Sequence, residues 1–259
     1  MNRWFAFAYG VLAYLVFLAT ILYMMGFVGN LWVPKSVDSG SDSDPTAAVL
    51  VNTLLVAAFA VQHTVMARPR FKQWWTQFVP KHLERSTYVL IASLLLAFLF
   101  WQWRPLPATI WEASGPWPRA ILIGLQFAGW FLVFYSSFLI NHFDLFGLRQ
   151  VFLHLRGREY SHLPFVVRSL YRVIRHPLMA GFLIAIWAAP TMTWGHLLLS
   201  SLLTIYILVG IRFEERDLVR HLGSAYEEYR SRTPALLPFP KPEALRPQLG
   251  SEQAPSSQP

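Results

Sequence analysis

Apolar residues fill this chain in long blocks, from Trp4 to about Val28, Ala47 to about Val65, Tyr88 to about Trp103 and Ala120 to about Ile140. Each block is near the roughly 20 residues that carry a helix across a bilayer, the third being short. The first is longer than the apolar part of a signal peptide and lacks a small-residue cleavage site, so it reads as a retained anchor. Two further apolar stretches, Leu178 to Pro190 and Gly195 to Ile211, are separated by the polar turn Thr191-Met192-Thr193-Trp194. That spacing predicts two helices folding back on each other as an antiparallel hairpin. The pattern as a whole predicts an all-α, polytopic integral membrane bundle of about six membrane segments.

Composition agrees with this class. Of 259 residues, 54% are hydrophobic and 14% charged, more apolar material than a soluble domain of that length needs for one core. Residues 1–245 read as one integral membrane domain, with the ligand-binding part at about 168–239. The stretch 246–259, ending Gln253-Ala254-Pro255-Ser256-Ser257-Gln258-Pro259, reads as a disordered tail.

Lysine and arginine in the short loops give the expected orientation. The loop after the first block holds Lys35 against Asp38, Asp42 and Asp44, whereas the next holds Arg68, Arg70, Lys72, Lys81 and Arg85. The second of these, both termini and the stretch from His142 to Arg175 are therefore expected in the cytoplasm. The net charge of +8 is explained by basic loops meeting anionic membrane lipids, and no nucleic-acid module is visible. Cysteine is absent, which excludes disulfides, thiolate nucleophiles and cysteine metal sites. No Gly-x-Gly-x-x-Gly fingerprint, P-loop, His-Glu-x-x-His or nucleophile elbow is present.

The candidate chemistry sits at the open end of the hairpin. Arg175-His176-Pro177 and Gly181 begin it, and Glu214-Glu215 close it. Pro177 suits the first helical position, which places His176 at the positive end of a helix. A cationic cluster beside a carboxylate fits an amino-acid zwitterion, the basic groups taking its carboxylate and a Glu its ammonium. S-adenosylmethionine carries such a zwitterion. Gly181 lets another backbone or a ligand approach the first turn. Glu214, Asp217 and His221 share one helical face and Glu215, Leu218 and Leu222 the next, so one Glu can face a ligand while its neighbour pairs with a basic group.

Arg175-His176-Pro177, Gly181, the hairpin, Glu214-Glu215, Leu218, Gly223, Tyr226, Tyr229 and Thr233-Pro234 resemble the C-terminal signature of the isoprenylcysteine carboxyl methyltransferase superfamily. That superfamily also includes phospholipid N-methyltransferases and nurim-like proteins. The chain departs from isoprenylcysteine enzymes at Leu178-Met179, where those usually carry an aromatic residue. A narrower resemblance extends over nearly the whole chain. Gln62-His63, Met66-Ala67-Arg68-Pro69, Glu84-Arg85-Ser86-Thr87-Tyr88, Trp101-Gln102-Trp103 and Asn141 through Arg149 are similar to bacterial methanethiol S-methyltransferases of the nurim family. The resemblance implies S-adenosylmethionine as methyl donor, methanethiol as acceptor, dimethyl sulfide and S-adenosylhomocysteine as products, and a bacterial inner membrane. A prenylcysteine carboxylate or a phospholipid amine remains an alternative acceptor, and a non-catalytic membrane scaffold an alternative role.

Thiol methylation needs a deprotonated sulfur, and an alkyl thiol near neutral pH is mostly protonated. His142 is the expected general base, with Asp144 contributing to its environment, and His63 is the second choice. Tyr171, Arg175, His176, Pro177, Glu214 and Glu215 are expected to hold the cofactor. His63, Tyr88 and Asn141 are expected to line the acceptor site. His63, His142 and His176 have no ligand partner at helical spacing, so no metal is expected. Among the 11 tryptophans, Trp32, Trp74, Trp75, Trp111 and Trp117 fall at block boundaries, where an aromatic belt is expected. Nothing in the sequence fixes an oligomeric state.

Overall fold

A computed structural model describes residues 2–239 apart from 41, 42, 162, 164 and 165. Asp42 and the tail at 246–259 thus lie outside the described residues. Among the described residues, five helices are long and apolar enough to cross a membrane: α1 Arg3–Gly29, α2 Pro45–Met66, α4 Lys81–Gln102, α5 Pro116–Ile140 and α9 Trp194–Leu222. The sixth apolar helix, α8 Pro177–Trp187, is shorter. Between them lie α3 Pro69–Trp75, α6 His142–Leu145, α7 Leu148–Leu155 and a 3₁₀ turn at Ser169–Arg172, and α10 Ser224–Arg232 follows α9. The chain is a polytopic helical membrane protein.

Local chemistry sets the ends of these helices. Asn2, Asp44 and Thr193 accept from the backbone N–H of Trp4, Ala47 and His196, and Pro45, Pro116 and Pro177 open their helices. A proline there loses no helical hydrogen bond, and a polar cap satisfies an N–H that the helix leaves unpaired. The third block becomes a full-length helix, because the polar turn Lys81–Thr87 continues the helix below the apolar run. Thr191–Thr193, expected as a turn, instead forms a short strand, β2, antiparallel to β1 Thr109–Glu112. It ties the hairpin's far end to the loop after α4.

Contacts along the helices fix their directions. Tyr9 donates to Thr87 at 3.0 Å, and Phe27 meets Trp103 edge-on at 6.0 Å, so α1 and α4 run parallel. Asn52 exchanges two hydrogen bonds with the Arg104 backbone while His63 lies against Tyr88, so α2 runs antiparallel to α4. Trp130 packs on Phe182, and Gln126 donates to Ala185 O, so α5 runs antiparallel to α8. Ser200 and His196 both reach the Ile186 carbonyl at 2.8 Å and turn α9 back along α8. The first ends of α1, α4 and α8 and the last ends of α2, α5 and α9 therefore gather at one face. That face carries the clustered arginines.

The closest packing joins α5 to α8. A Cβ on Gly129 would stand 2.7 Å from the Gly181 carbonyl oxygen, and one on Gly181 would stand 2.7 Å from the Gly129 carbonyl oxygen. Two backbones meet there because neither residue has a side chain, so Gly181 serves helix contact. The amphipathic α7 covers the start of α1, with Val151 seated on Gly10, Ala6 and Leu83. It brings α6, and with it His142, under the bundle.

Gly181→Val is expected to lose about 3 kcal/mol of stability, since no flexible side chain can yield to the added methyl groups. Thermal unfolding in detergent would check this, with Gly124→Val as a control at a position where an added Cβ meets no atom within 4 Å.

Candidate functional site

Arg175 and His176 end a loop that is fixed by the C-terminal segment before the side chains are considered. Their backbone N–H groups donate to Pro234 O at 2.9 Å and Ala235 O at 3.0 Å. The Arg175 guanidinium donates to the carbonyls of Arg230 and Thr233, and its Nε to Glu215 Oε1 at 2.7 Å. His176 places Nε2 at 3.0 Å from the same carboxylate oxygen. A carboxylate only accepts, so Nε2 carries the hydrogen. One glutamate on α9 thereby holds two neighbouring residues at the start of α8. The side chains of Arg175 and His176 are 6% and 5% exposed, so their compensation has to be internal.

Glu214 differs from its neighbour in this respect. Its side chain is 46% exposed, its Oε2 lies 3.6 Å from His176 Nδ1, and it makes no hydrogen bond among the described residues. Tyr171 stands nearby on the 3₁₀ turn. Burial first, and the charge of Glu214 second, push the Tyr171 phenol well above its usual range. Its backbone carbonyl accepts from the Tyr229 hydroxyl, which ties this turn to α10. Pro177 is buried and makes the helix start that sets His176. The expected division of labour between the two glutamates thus has a geometric basis. Arg175, expected to meet a ligand carboxylate, is instead committed to Glu215 and two carbonyls.

His63 and Tyr88 come together, without Asn141. Their rings are 4.9 Å apart, with Phe59 at 5.3 Å and Tyr206 at 6.2 Å from the His63 ring. His63 Nδ1 is buried with no hydrogen-bond partner. A buried ring nitrogen without a partner is a costly feature that a ligand would relieve. Arg85 covers the Tyr88 face at 5.0 Å, and Arg68 joins this end of α2 to Asp217 on α9 at 2.8 Å. Phe59 and Tyr206 were not singled out from sequence, because an aromatic residue inside an apolar span has no mark of its own.

His142 is enclosed differently. Ser137 donates its hydroxyl hydrogen to Phe134 O at 2.6 Å, so toward His142 Nδ1 at 2.8 Å it accepts. Nδ1 then carries the hydrogen, and Nε2 accepts from the Tyr14 hydroxyl at 2.9 Å. Phe138 stacks on the ring at 4.3 Å, and Phe146 meets it at 4.8 Å. Burial holds the imidazole below its usual range, which keeps it neutral at pH 7. Asp144 points elsewhere, to Arg149 at 3.0 Å and the Tyr160 hydroxyl at 3.2 Å. Asn141 adopts φ 148° and caps α6 by accepting from Asp144 N at 3.1 Å. Phe146 belongs to the same packed group as Tyr88, the ring against which His63 lies. Among the described residues no group of three or more potential metal ligands converges.

Residues 50–238 match the NnrU protein family. The chain is 56% identical to methanethiol S-methyltransferase 1 of Bradyrhizobium diazoefficiens, over 92% of this chain and 83% of that protein. It is 51% identical to the methanethiol S-methyltransferase of Mycobacterium tuberculosis, over 93% of this chain and 98% of that protein. Human nurim is 30% identical over 63% of this chain and 65% of its own length. No solved structure matches significantly.

Glu215→Gln is expected to cost roughly 3 kcal/mol of stability, because it leaves the buried Arg175 guanidinium without its carboxylate, whereas Glu214→Gln leaves stability nearly unchanged. Thermal unfolding of the two variants side by side would separate them. For His142 the lowered value means that the unfolded chain takes up a proton below about pH 6.5 while the folded one resists it. Its stabilising contribution is present above that pH and declines as pH falls through it. His142→Gln should accordingly show a smaller loss of thermal midpoint between pH 7.5 and 5.5 than the parent, whatever its midpoint at pH 7.5.

Proposed function

The chain belongs to the NnrU family, together with the methanethiol S-methyltransferases, and from that membership we propose that it is an integral membrane methyltransferase converting methanethiol to dimethyl sulfide. The observation that carries the reading is identity of about half over nearly the full length of both proteins, joined to a charged site at the end of the hairpin.

The methyl donor is proposed to be S-adenosylmethionine, which supplies a methyl group on a positively charged sulfur. Glu214 fits its ammonium, being an open carboxylate beside a helix start, while Glu215 keeps Arg175 and His176 in place. Tyr171 and Pro177 border that position. The rings of Phe59, Tyr88 and Tyr206 around His63 suit the thiol and the cationic sulfur, since aromatic faces attract cations and tolerate small apolar groups. With its hydrogen on Nε2, His63 offers Nδ1 as acceptor for the thiol proton. His142, with both nitrogens engaged, reaches a substrate only through Tyr14 or by a change of partners. It is assigned the positioning of α6 against α1 and α5, with Asn141 and Asp144 shaping the α6 turn. The site face is proposed to be cytoplasmic, as the loop arginines indicate, in a bacterial inner membrane.

Purified protein given methanethiol and S-adenosylmethionine should release dimethyl sulfide, measured by headspace gas chromatography. Glu214→Ala should weaken cofactor binding by roughly 10- to 100-fold, the worth of a charge-assisted hydrogen bond, and leave the fold intact. His63→Phe should lower kcat by about 100-fold with cofactor affinity kept. Cofactor binding without product would assign a prenyl or lipid acceptor, and no cofactor binding a scaffold role.

A further inference from the structure

The C-terminal part of α9 has a face that the methyl transfer does not use. Arg212, Arg216, Val219 and Arg220 follow one another along it at helical spacing, and with Arg230 of α10 and Glu215 they line a cavity of about 410 Å³. Arg220 lies 3.8 Å from Asp217, whereas Arg212 and Arg216 make no ion pair among the described residues and leave their charge to the cavity. Glu215 is already compensated by Arg175 and His176, so the cavity keeps a strong positive field.

The same face has a second property on the other side of Arg212. Ile205, Leu208 and Val209 lie seven, four and three residues before it and are 60%, 45% and 41% exposed. Arg212 is the first charged residue of α9 after the apolar run that begins at Trp194. An exposed apolar stripe therefore runs straight into an arginine cluster where the apolar part of the helix ends. That order, chain-binding surface and then guanidinium, matches a phospholipid lying along a membrane helix with its phosphate at headgroup level. A soluble phosphate compound would have no use for the stripe.

We propose that the cavity between α9 and α10 binds the phosphate of an anionic phospholipid whose acyl chain lies along Ile205, Leu208 and Val209. The proposal is independent of the methyl acceptor. Because Glu215 borders the cavity on one side and holds Arg175 and His176 on the other, a bound headgroup would also brace the start of α8.

The test is native mass spectrometry of the full chain in detergent, titrated with phosphatidylglycerol or phosphatidylcholine. The parent and Arg212→Gln/Arg216→Gln would be compared, with Arg156→Gln/Arg158→Gln as a control that removes the same charge elsewhere. Expected is retention of phosphatidylglycerol over phosphatidylcholine by the parent and the control, and roughly thirtyfold weaker retention by the Arg212/Arg216 variant. Thermal midpoints of all three proteins would verify folding. Equal phosphatidylglycerol retention by the variant would overturn the proposal. So would displacement of the lipid by millimolar inorganic phosphate, which would mark a soluble-phosphate site. Loss of S-adenosylmethionine binding with lipid retention unchanged would give these arginines to the methyl donor's carboxylate instead.

Discussion

A buried guanidinium and a buried imidazole sit next to each other at the start of α8, and a single carboxylate, Glu215, answers both. Charges taken out of water need such an answer, and removing it costs far more than the pair contributes over an apolar substitute. The arrangement therefore says less about stability than about position. It pins the loop at Arg175 to α9, while the Arg230 and Thr233 carbonyls pin it to the segment after α10. The start of α8, α9 and the segment after α10 are locked together by these buried groups.

From that lock follows the different fate of Glu214. Consecutive helical residues point about a quarter-turn apart, so with Glu215 turned inward Glu214 must emerge beside it. It does so next to His176 Nδ1 and near Tyr171, with no hydrogen bond among the described residues. The acidic pair is one carboxylate engaged by Arg175 and His176 and one open carboxylate, the one to which the proposed function gives a cationic ligand group. The close approach of α5 and α8 at Gly129 and Gly181 serves the same end, because it sets the depth of His176 relative to the α5 terminus.

Much of this was legible in the sequence, and for physical reasons. Transmembrane helices show themselves through composition, since a lipid-facing surface excludes charge over the whole bilayer thickness. Helix ends showed where proline or a capping residue made them local, as at Pro177. The β1–β2 pair did not show, because strands of four and three residues carry no periodicity and Thr191–Thr193 also reads as a turn. At the site, the hairpin brought Arg175, His176 and the two glutamates together as their spacing implied. Which glutamate faces inward was not legible, since both lie on adjacent faces of one helix.

The two histidines mark the limit of such reading most clearly. His142 stands in the more suggestive sequence, with Asn141 before it and Asp144 after it, yet its partners are Tyr14 and Ser137, and Asp144 turns to Arg149. Hydroxyl groups from α1 and α5 satisfy both ring nitrogens, which makes it a well-paired buried histidine. His63 sits in an unremarkable apolar helix and keeps an unpaired Nδ1 among aromatic rings from three helices. Availability for chemistry is a property of what the neighbours leave unsatisfied, and in a helical bundle those neighbours are residues of other helices. A base read from local sequence is therefore a statement about residue type, whereas one read from the bundle rests on a ring nitrogen that the neighbouring helices leave without a partner.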